Sequence, residues 1–391
     1  MTPFTHIICH YNEIALKGRN RNFFENRLAR NIEKKLSEKN PGCFQCVKIY
    51  PGRIAIKLQK ESQKKSASIR SVLENIFGLT NFSFALESDL DLERISRDCL
   101  DLINRKKFKN FRISAQRSDK RFPSTSQKIN ERIGAYIAQK TGKKVKLKKP
   151  EVDCRIEILE RSSFIYLKKY KGPEGLPVGT GGKALTLLSG GFDSPVAAYY
   201  AIRRGVETDF VHFHSRPYTS AASLEKVEGL AKVLKKYQDT ATVYFVPFAG
   251  IQKEIFMHSP QKLRVILYRR MMLRIAEAIA TKKKYLALYT GDSVGQVASQ
   301  TLENIKAIEE AVKIPILRPV IGFNKIEIIE KAKQIGTYEI SAIPHDDCCL
   351  RFIPKHPETR ANIDEVKRAE KKLFVAKMTK TALQKMEVKS F

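Results

Sequence analysis

The residue types best equipped for chemistry are concentrated in ALTLLSGGFDSP, residues 184–195. An apolar run ends in Ser189, Gly190, Gly191, Phe192, Asp193 and Ser194, and Pro195 follows where the first turn of a helix would begin. Gly190 and Gly191 allow the backbone to approach an anion closely, and Ser189 and Ser194 add hydroxyl donors. The free N–H groups of the opening helix point at the same place, where its dipole favours negative charge. This pattern predicts a phosphate site at the carboxyl end of a buried parallel strand. No Lys-Ser or Lys-Thr closes the loop, so it is not the GxxxxGK[ST] loop and is poorly suited to γ-phosphoryl transfer.

The elements that must position this loop are short apolar strands alternating with helical stretches. Ala184–Leu188, Phe210–His214, Ala241–Val246 and Tyr285–Thr290 read as strands, separated by helices over Pro195–Arg204, Ser220–Gln238 and Gln261–Thr281. Repeated βα units predict a doubly wound parallel sheet. Upstream, a glycine- and proline-rich stretch at 171–183 reads as a linker. Before it, strands Thr5–Cys9 and Val47–Leu58 with a helix over Asn22–Lys39 form one α+β module. A helix from Ser66, a strand over Phe82–Leu86 and a helix over Leu90–Lys106 open a second. The tail Asp364–Lys380 reads as one basic helix.

Charge is the second strong signal. Lys and Arg number 72 against 41 Asp and Glu, a net charge of +31, in a chain with 42% hydrophobic and 29% charged residues. Such a chain is globular rather than a disordered basic tail, and the excess predicts a polyanionic partner. It is uneven: residues 101–150 hold 16 basic and 3 acidic residues, whereas 51–100 hold 8 and 7. Phe108, Phe111 and Ile113, and further on Val145 and Leu147, alternate with Lys and Arg, as two half-buried strands with a basic outer face would. The cations expected to contact phosphates are Arg105, Lys106, Lys107, Lys109, Arg112, Arg117, Lys120, Arg121, Lys143, Lys144 and Lys146.

Seven scattered cysteines do not read as a disulfide framework, and Cys43-x-x-Cys46 has no second half to complete a metal site. No metal centre is expected. No apolar run approaches the ~18 residues of a transmembrane helix, and no secretory signal opens the chain, so a cytoplasmic protein is expected.

The SGGxDS loop resembles the PP-loop of the ATP pyrophosphatases, which split ATP between the α and β phosphates and adenylate a substrate oxygen. The blocks LLSGGFDSPVA, VHFHSRPYTS, YRRMMLRIAE, TGDSVGQVASQTLENI, PILRPVIGFNK and IGTYEISAIPHDDCC stand in the order and spacing of the tRNA 4-thiouridine synthetases (ThiI). By that resemblance the chain comprises a ferredoxin-like domain (1–62), a THUMP RNA-binding domain (63–170), the linker and a PP-loop domain (184–391). The nucleotide pocket would include Leu187, Leu188, Ser189, Gly190, Gly191, Ser194, His212, Phe213, Arg269, Gly291 and Gln300. Of Arg269, Arg270 and Arg274, at least one is expected to be a helix-surface cation.

The resemblance gives catalytic roles to Asp193, which would orient Mg²⁺ or the leaving pyrophosphate, to Lys325 and to Cys348, with Cys349 as a substitute. It implies ATP and Mg²⁺ as cofactors, tRNA and a cysteine desulfurase as partners, and a homodimer. Longer members carry a persulfide on a rhodanese-like domain, for which the 42 residues after Cys349 leave no room. This weakens the family's other role, sulfur supply to the thiamine thiazole, which in longer members depends on that domain, and with only Cys348 and Cys349 in the catalytic domain no iron–sulfur cluster is expected. The alternatives are another PP-loop thiolating or adenylating enzyme, or a non-catalytic tRNA-binding protein.

Overall fold

A computed structural model of the chain describes residues 4–218, 222–344 and 357–391. The chain divides into two compact units, residues 1–177 and 178–391.

The first unit runs β1 (His6–His10), α1 (Arg21–Lys39), β2 (Phe44–Tyr50), β3 (Arg53–Leu58), α2 (Ser66–Leu73) and β4 (Asn81–Ser88). It continues with α3 (Leu92–Ile103), β5 (Asn110–Arg117), α4 (Ser126–Thr141), β6 (Lys144–Val145), β7 (Val152–Ile158), β8 (Ser163–Tyr166) and β9 (Tyr170–Lys171). The two α+β modules share one nine-stranded sheet, ordered β2-β3-β1-β4-β8-β7-β5-β6, with β9 on β4. Each module has its own core. Ile7, Cys9, Ile54 and Ile56 meet Leu28, Ile32 and Leu36 of α1, and Phe111, Ile113, Cys154 and Ile156 meet Ile95, Ile129, Ile133 and Ile137. These alternate residues face the helices because successive strand side chains point to opposite faces. Local signals mark the helix ends: Asp91 accepts the Arg94 N–H at 2.7 Å, Thr125 accepts that of Lys128 at 3.2 Å, and Gly142 ends α4 in the left-handed region.

One expected strand is nearly absent. Val145 and Leu147 are 47% and 71% exposed, and only Lys144–Val145 pairs, as an edge on β5. Among the described residues no strand pairs with that outer edge, so the alternation in KKVKLKK decorates solvent rather than a core.

The second unit is built from β10 (Lys183–Leu187), α5 (Asp193–Arg203), β11 (Glu207–His214), α6 (Ala222–Leu234), β12 (Thr242–Pro247), α7 (Ala249–His258) and α8 (Arg264–Lys283). Then come β13 (Leu288–Tyr289), α9 (Leu302–Glu309), β14 (Ile316–Leu317), α10 (Lys325–Ile335), α11 (Tyr338–Ala342), α12 (Ile363–Glu370), α13 (Val375–Gln384) and β15 (Glu387–Ser390). The sheet order β14-β13-β10-β11-β12-β15 is that of a doubly wound fold. Every pairing is parallel except β12 with β15, which closes the edge antiparallel. The expected single C-terminal helix is two, because Lys371–Phe374 breaks the run between α12 and α13. Among the described residues, no helix is long and apolar enough to cross a membrane.

Candidate active site

The loop from Ser189 to Phe192 joins β10 to α5, and both anchors are buried: Leu185 and Val196 are fully covered. Phe192 occupies the N-cap with no side-chain hydrogen bond to the first turn, so the orphan N–H groups of α5 are left for another acceptor. The loop closes on itself through its hydroxyls. The Ser189 N–H donates to Ser194 Oγ at 2.9 Å, the two hydroxyls lie 3.0 Å apart, and the Gly191 N–H donates to Ser189 Oγ at 3.3 Å. Gly190 and Gly191 therefore form part of a small ring of donors rather than an extended turn.

Asp193 stands in the first turn of α5. Lys325, at the start of α10, places its ammonium 3.0 and 3.1 Å from the two Asp193 oxygens, and the Gln296 amide donates to Oδ2 at 3.3 Å. Ring contacts bind the same elements: Lys325 lies 5.4 Å from the centre of the Phe192 ring, which stacks on Tyr338 at 5.5 Å. The donor set fits Mg²⁺, which binds through one or two carboxylates plus substrate phosphates and waters. Here the Lys325 ammonium stands in for a cation against both oxygens.

A third element completes the pocket, the loop after β13. Gly291 is required by its neighbours: a Cβ there would lie 2.6 Å from the Ser194 nitrogen and 2.7 Å from the Asp193 carbonyl carbon, so only glycine lets this loop lie on α5. Next comes Asp292, a buried carboxylate that receives the Arg269 guanidinium, Gln300 Nε2 at 3.3 Å, the Thr290 hydroxyl at 2.7 Å and Arg318 Nε at 3.3 Å. Burial alone would raise its pKa, but Arg269, Thr290 and Arg318 hold the carboxyl down at about 2. Gln300 keeps its other amide atom, Oε1, buried with no hydrogen-bond partner among the described residues.

On the far side of β10, His212 Nδ1 lies 2.9 Å from the Leu188 carbonyl, and the Leu188 N–H is taken by Val211 O at 2.9 Å. Leu188 is thus more engaged than a free adenine reader would be. Phe213 is better placed: β10 pairs only as far as Val211, and two residues further along β11 the backbone groups of Phe213 point to the side that β10 has left. Leu187 is half-buried beside them. Of Arg269, Arg270 and Arg274, at least one of which is expected at the helix surface, Arg270 is buried and the other two are half-buried. Arg270 is 1% exposed and bonds Glu370, Glu310 and Ala307 O, Arg274 also bonds Glu370, and only Arg269 turns to the loop after β13.

In the first unit the eleven expected phosphate-contacting cations separate by chemistry. Arg112 is spent on a two-point pair with Asp153 (3.3 and 2.6 Å), Arg117 donates to Phe122 O at 3.0 Å, and Arg121 bonds Asp119 and Glu160. Lys106, Lys107, Lys109, Lys120, Lys143, Lys144 and Lys146 are exposed, as is Arg105.

Residues 179–375 match the family model described as thiamine biosynthesis protein (ThiI), residues 6–83 the ThiI ferredoxin-like domain and residues 90–168 the THUMP domain. The chain belongs to the ThiI family. It is 40% identical over 386 residues to a "Probable tRNA sulfurtransferase" of Moorella thermoacetica, covering 98% of this chain and 97% of that one. A protein of the same name from Caldanaerobacter subterraneus is 43% identical over 370 residues, 94% and 95% of the two chains. Among solved structures, a 4-thiouridine synthetase in complex with RNA and bound ATP is 36% identical, with a TM-score of 0.89 over 99% of this chain and all of that one. PH1313 of Pyrococcus horikoshii, 24% identical with a TM-score of 0.65 over 85% of this chain and 99% of that one, shares the fold.

Two site residues carried over from the ThiI resemblance, Cys348 and its neighbour Cys349, lie outside the described residues, as do His345, Asp346, Asp347 and Arg351. The chain that leads to them is firmly held. Lys226, 4% exposed on α6, donates to Ser341 O at 2.9 Å and Ile343 O at 2.7 Å, and the Ser341 hydroxyl donates to Gly191 O at 3.2 Å. One short helix, α11, thereby touches the loop between β10 and α5. Sequence reasoning missed Gln296, Asp292, Arg318 and Lys226. Asp292 had a signal, being the sole acid just beyond a strand end in TGDSVGQ, whereas a lone lysine in a helical run such as Lys226 has none.

Proposed function

We propose that this chain is an ATP-dependent tRNA sulfurtransferase that makes 4-thiouridine at position 8 of tRNA. The observation that carries the reading is the full-length likeness to a 4-thiouridine synthetase holding RNA and ATP together. An uncapped α5 beneath an Asp193–Lys325 pair gives that likeness local chemistry.

ATP would lie with its phosphates at the α5 N-terminus, where backbone N–H groups and the Ser189 and Ser194 hydroxyls receive them. Phe213 backbone groups and Gln300 Oε1 would meet the nucleoside end, and Arg269 offers a fork to phosphate. Held by Asp193, Mg²⁺ would neutralise charge on the departing pyrophosphate. Uridine O4 attacks the α-phosphorus, the bond to the β-phosphate bridging oxygen breaks, and pyrophosphate leaves. Lys325 turns from Asp193 to the phosphate as negative charge grows. The outer sulfur of a persulfide delivered by a cysteine desulfurase then attacks C4 and expels AMP, and a thiol attacks the carrier sulfur, breaking the S–S bond to leave 4-thiouridine and a disulfide; Cys348 either carries the persulfide, with free cysteine as that thiol, or is itself the attacking thiol. Cys349 is the substitute. The exposed lysines of 106–109 and 143–146 hold tRNA phosphates in the THUMP-containing unit, offsetting the cost of exposing a base within folded RNA. A homodimer is the family expectation.

The test is to incubate the full chain with ATP, Mg²⁺, cysteine, an active desulfurase and unmodified tRNA, then analyse nucleosides. The expected product is 4-thiouridine, with AMP and pyrophosphate formed in step. Its absence, with the desulfurase shown to be active, refutes the reading.

A further inference from the structure

Asp292 holds two guanidinium groups, although one suffices to balance its charge. The two are not equivalent. Arg269 has a side chain 23% exposed and, among the described residues, bonds neutral Ser299 (3.1 Å) besides Asp292. Arg318 is 12% exposed and is pinned between Asp292 at 3.3 Å and Glu309 at 2.9 Å. Asp292 itself is 7% exposed, so its charge cannot be left alone: an unpaired buried carboxylate is strongly unfavourable.

We propose that Arg318 is a positioning residue that lets Arg269 change partners. When ATP arrives, Arg269 leaves Asp292 for phosphate, and Arg318 remains as the counter-ion of the buried carboxylate. The inference rests on the proposed function only in taking Arg269 as the arginine that meets nucleotide. Without Arg318, releasing Arg269 would strand Asp292, and Arg269 would stay where it is. Asp292 would then act as a competitor of ATP, and neutralising it would restore binding. Loss of Arg318 and loss of Asp292 should therefore compensate in ATP affinity; as partners in one buried pair they couple in stability as well, so the readout that separates the exchange from a structural role is the ATP affinity of the folded variants.

The test is calorimetric binding of ATP to the full chain without tRNA. Arg318→Met is expected to weaken ATP binding about tenfold or more, and Arg318→Lys, which keeps the charge, to stay within about threefold of wild type. The double variant Arg318→Met/Asp292→Asn is expected to recover to within about threefold of wild type. Wild-type affinity in Arg318→Met, or a double variant as weak as or weaker than Arg318→Met, overturns the exchange. Should Arg318→Met fail to fold, Glu309→Gln decides by sign. It frees Arg318 for Asp292, so ATP binding should hold or tighten, and a fall beyond about threefold overturns the proposal. Wild-type protein that binds no ATP would defeat the nucleotide site and the exchange with it, an outcome distinguished by the wild-type measurement alone.

Discussion

Asp193 joins three elements through one carboxylate, with Lys325 from α10 and Gln296 from the loop after β13 both donating to it at the start of α5. Removing it would leave the ammonium without its partner and the pocket without an oxygen ligand. Asp193→Ala should lower tRNA-stimulated pyrophosphate release by at least about 100-fold while tRNA binding is retained; release within a few-fold of wild type would show that the carboxylate is dispensable. Cys348 is tested by separating the two half-reactions. Cys348→Ala should still release pyrophosphate from ATP and tRNA but form no 4-thiouridine, whereas undiminished thiolation would move the role to Cys349. At this scale the loop residues were readable from types and spacing, since Gly, Ser and Asp at a strand end have few other uses. Arg318 was not, and the acid that marks TGDSVGQ did not disclose the partners of Asp292, because which buried acid an arginine meets depends on strands distant in sequence.

Elements behave differently from single residues because their placement is shared. Glu157 on β7 is bonded by His10 of β1, by Arg53 of β3 and by the Tyr166 hydroxyl of β8 at 2.6 Å, so one carboxylate fastens four strands of the common sheet. Burial would push its pKa up, but His10, Arg53 and Tyr166 outweigh burial and hold it at about 2. A carboxyl lower in the folded than in the unfolded chain stabilises above the unfolded value, near 4.3, and loses that stability as pH falls toward 2. In urea unfolding of the full chain, the share due to Glu157, about 3 kcal/mol, should be lost across that window, and Glu157→Gln should flatten the slope there by that share. An equal slope in both proteins would place the acid sensitivity elsewhere. The βα alternation of the second unit was legible for the same reason that it folds: strands buried on both faces must be continuous apolar runs. The antiparallel β15 escaped notice because all four of its residues, Glu387–Ser390, are exposed and carry no burial pattern. Conversely, VKL at 145–147 imitated a strand because alternation with lysine looks the same whether or not a core lies beneath.

For the whole molecule the net charge of +31 becomes specific once the cations are sorted by partner. Arginines at 112, 117 and 121 are committed to acids or carbonyls, so they contribute shape more than attraction. The lysines around α4 remain exposed, and Gly142 ends the helix where Lys143, Lys144 and Lys146 follow, on and beside the two-residue edge strand β6. Ammonium groups on such an edge can each neutralise a phosphate and release its counterion, so the logarithm of tRNA affinity should fall linearly with the logarithm of salt. Replacing these three lysines by glutamine leaves the core untouched, since none of the three is buried. If all three meet phosphate, the salt slope should decrease by about 2 to 3, with the largest loss of affinity at low salt and little change in thermal stability. Arg112→Gln should do the reverse, lowering stability by up to about 1 kcal/mol through loss of the two-point pair with Asp153, which keeps Arg155 and Ser114 as partners, while leaving the slope nearly unchanged. Filter binding of unmodified tRNA across a salt series reads both slopes. An unchanged slope in the triple variant would assign the RNA-holding surface to other cations of the molecule.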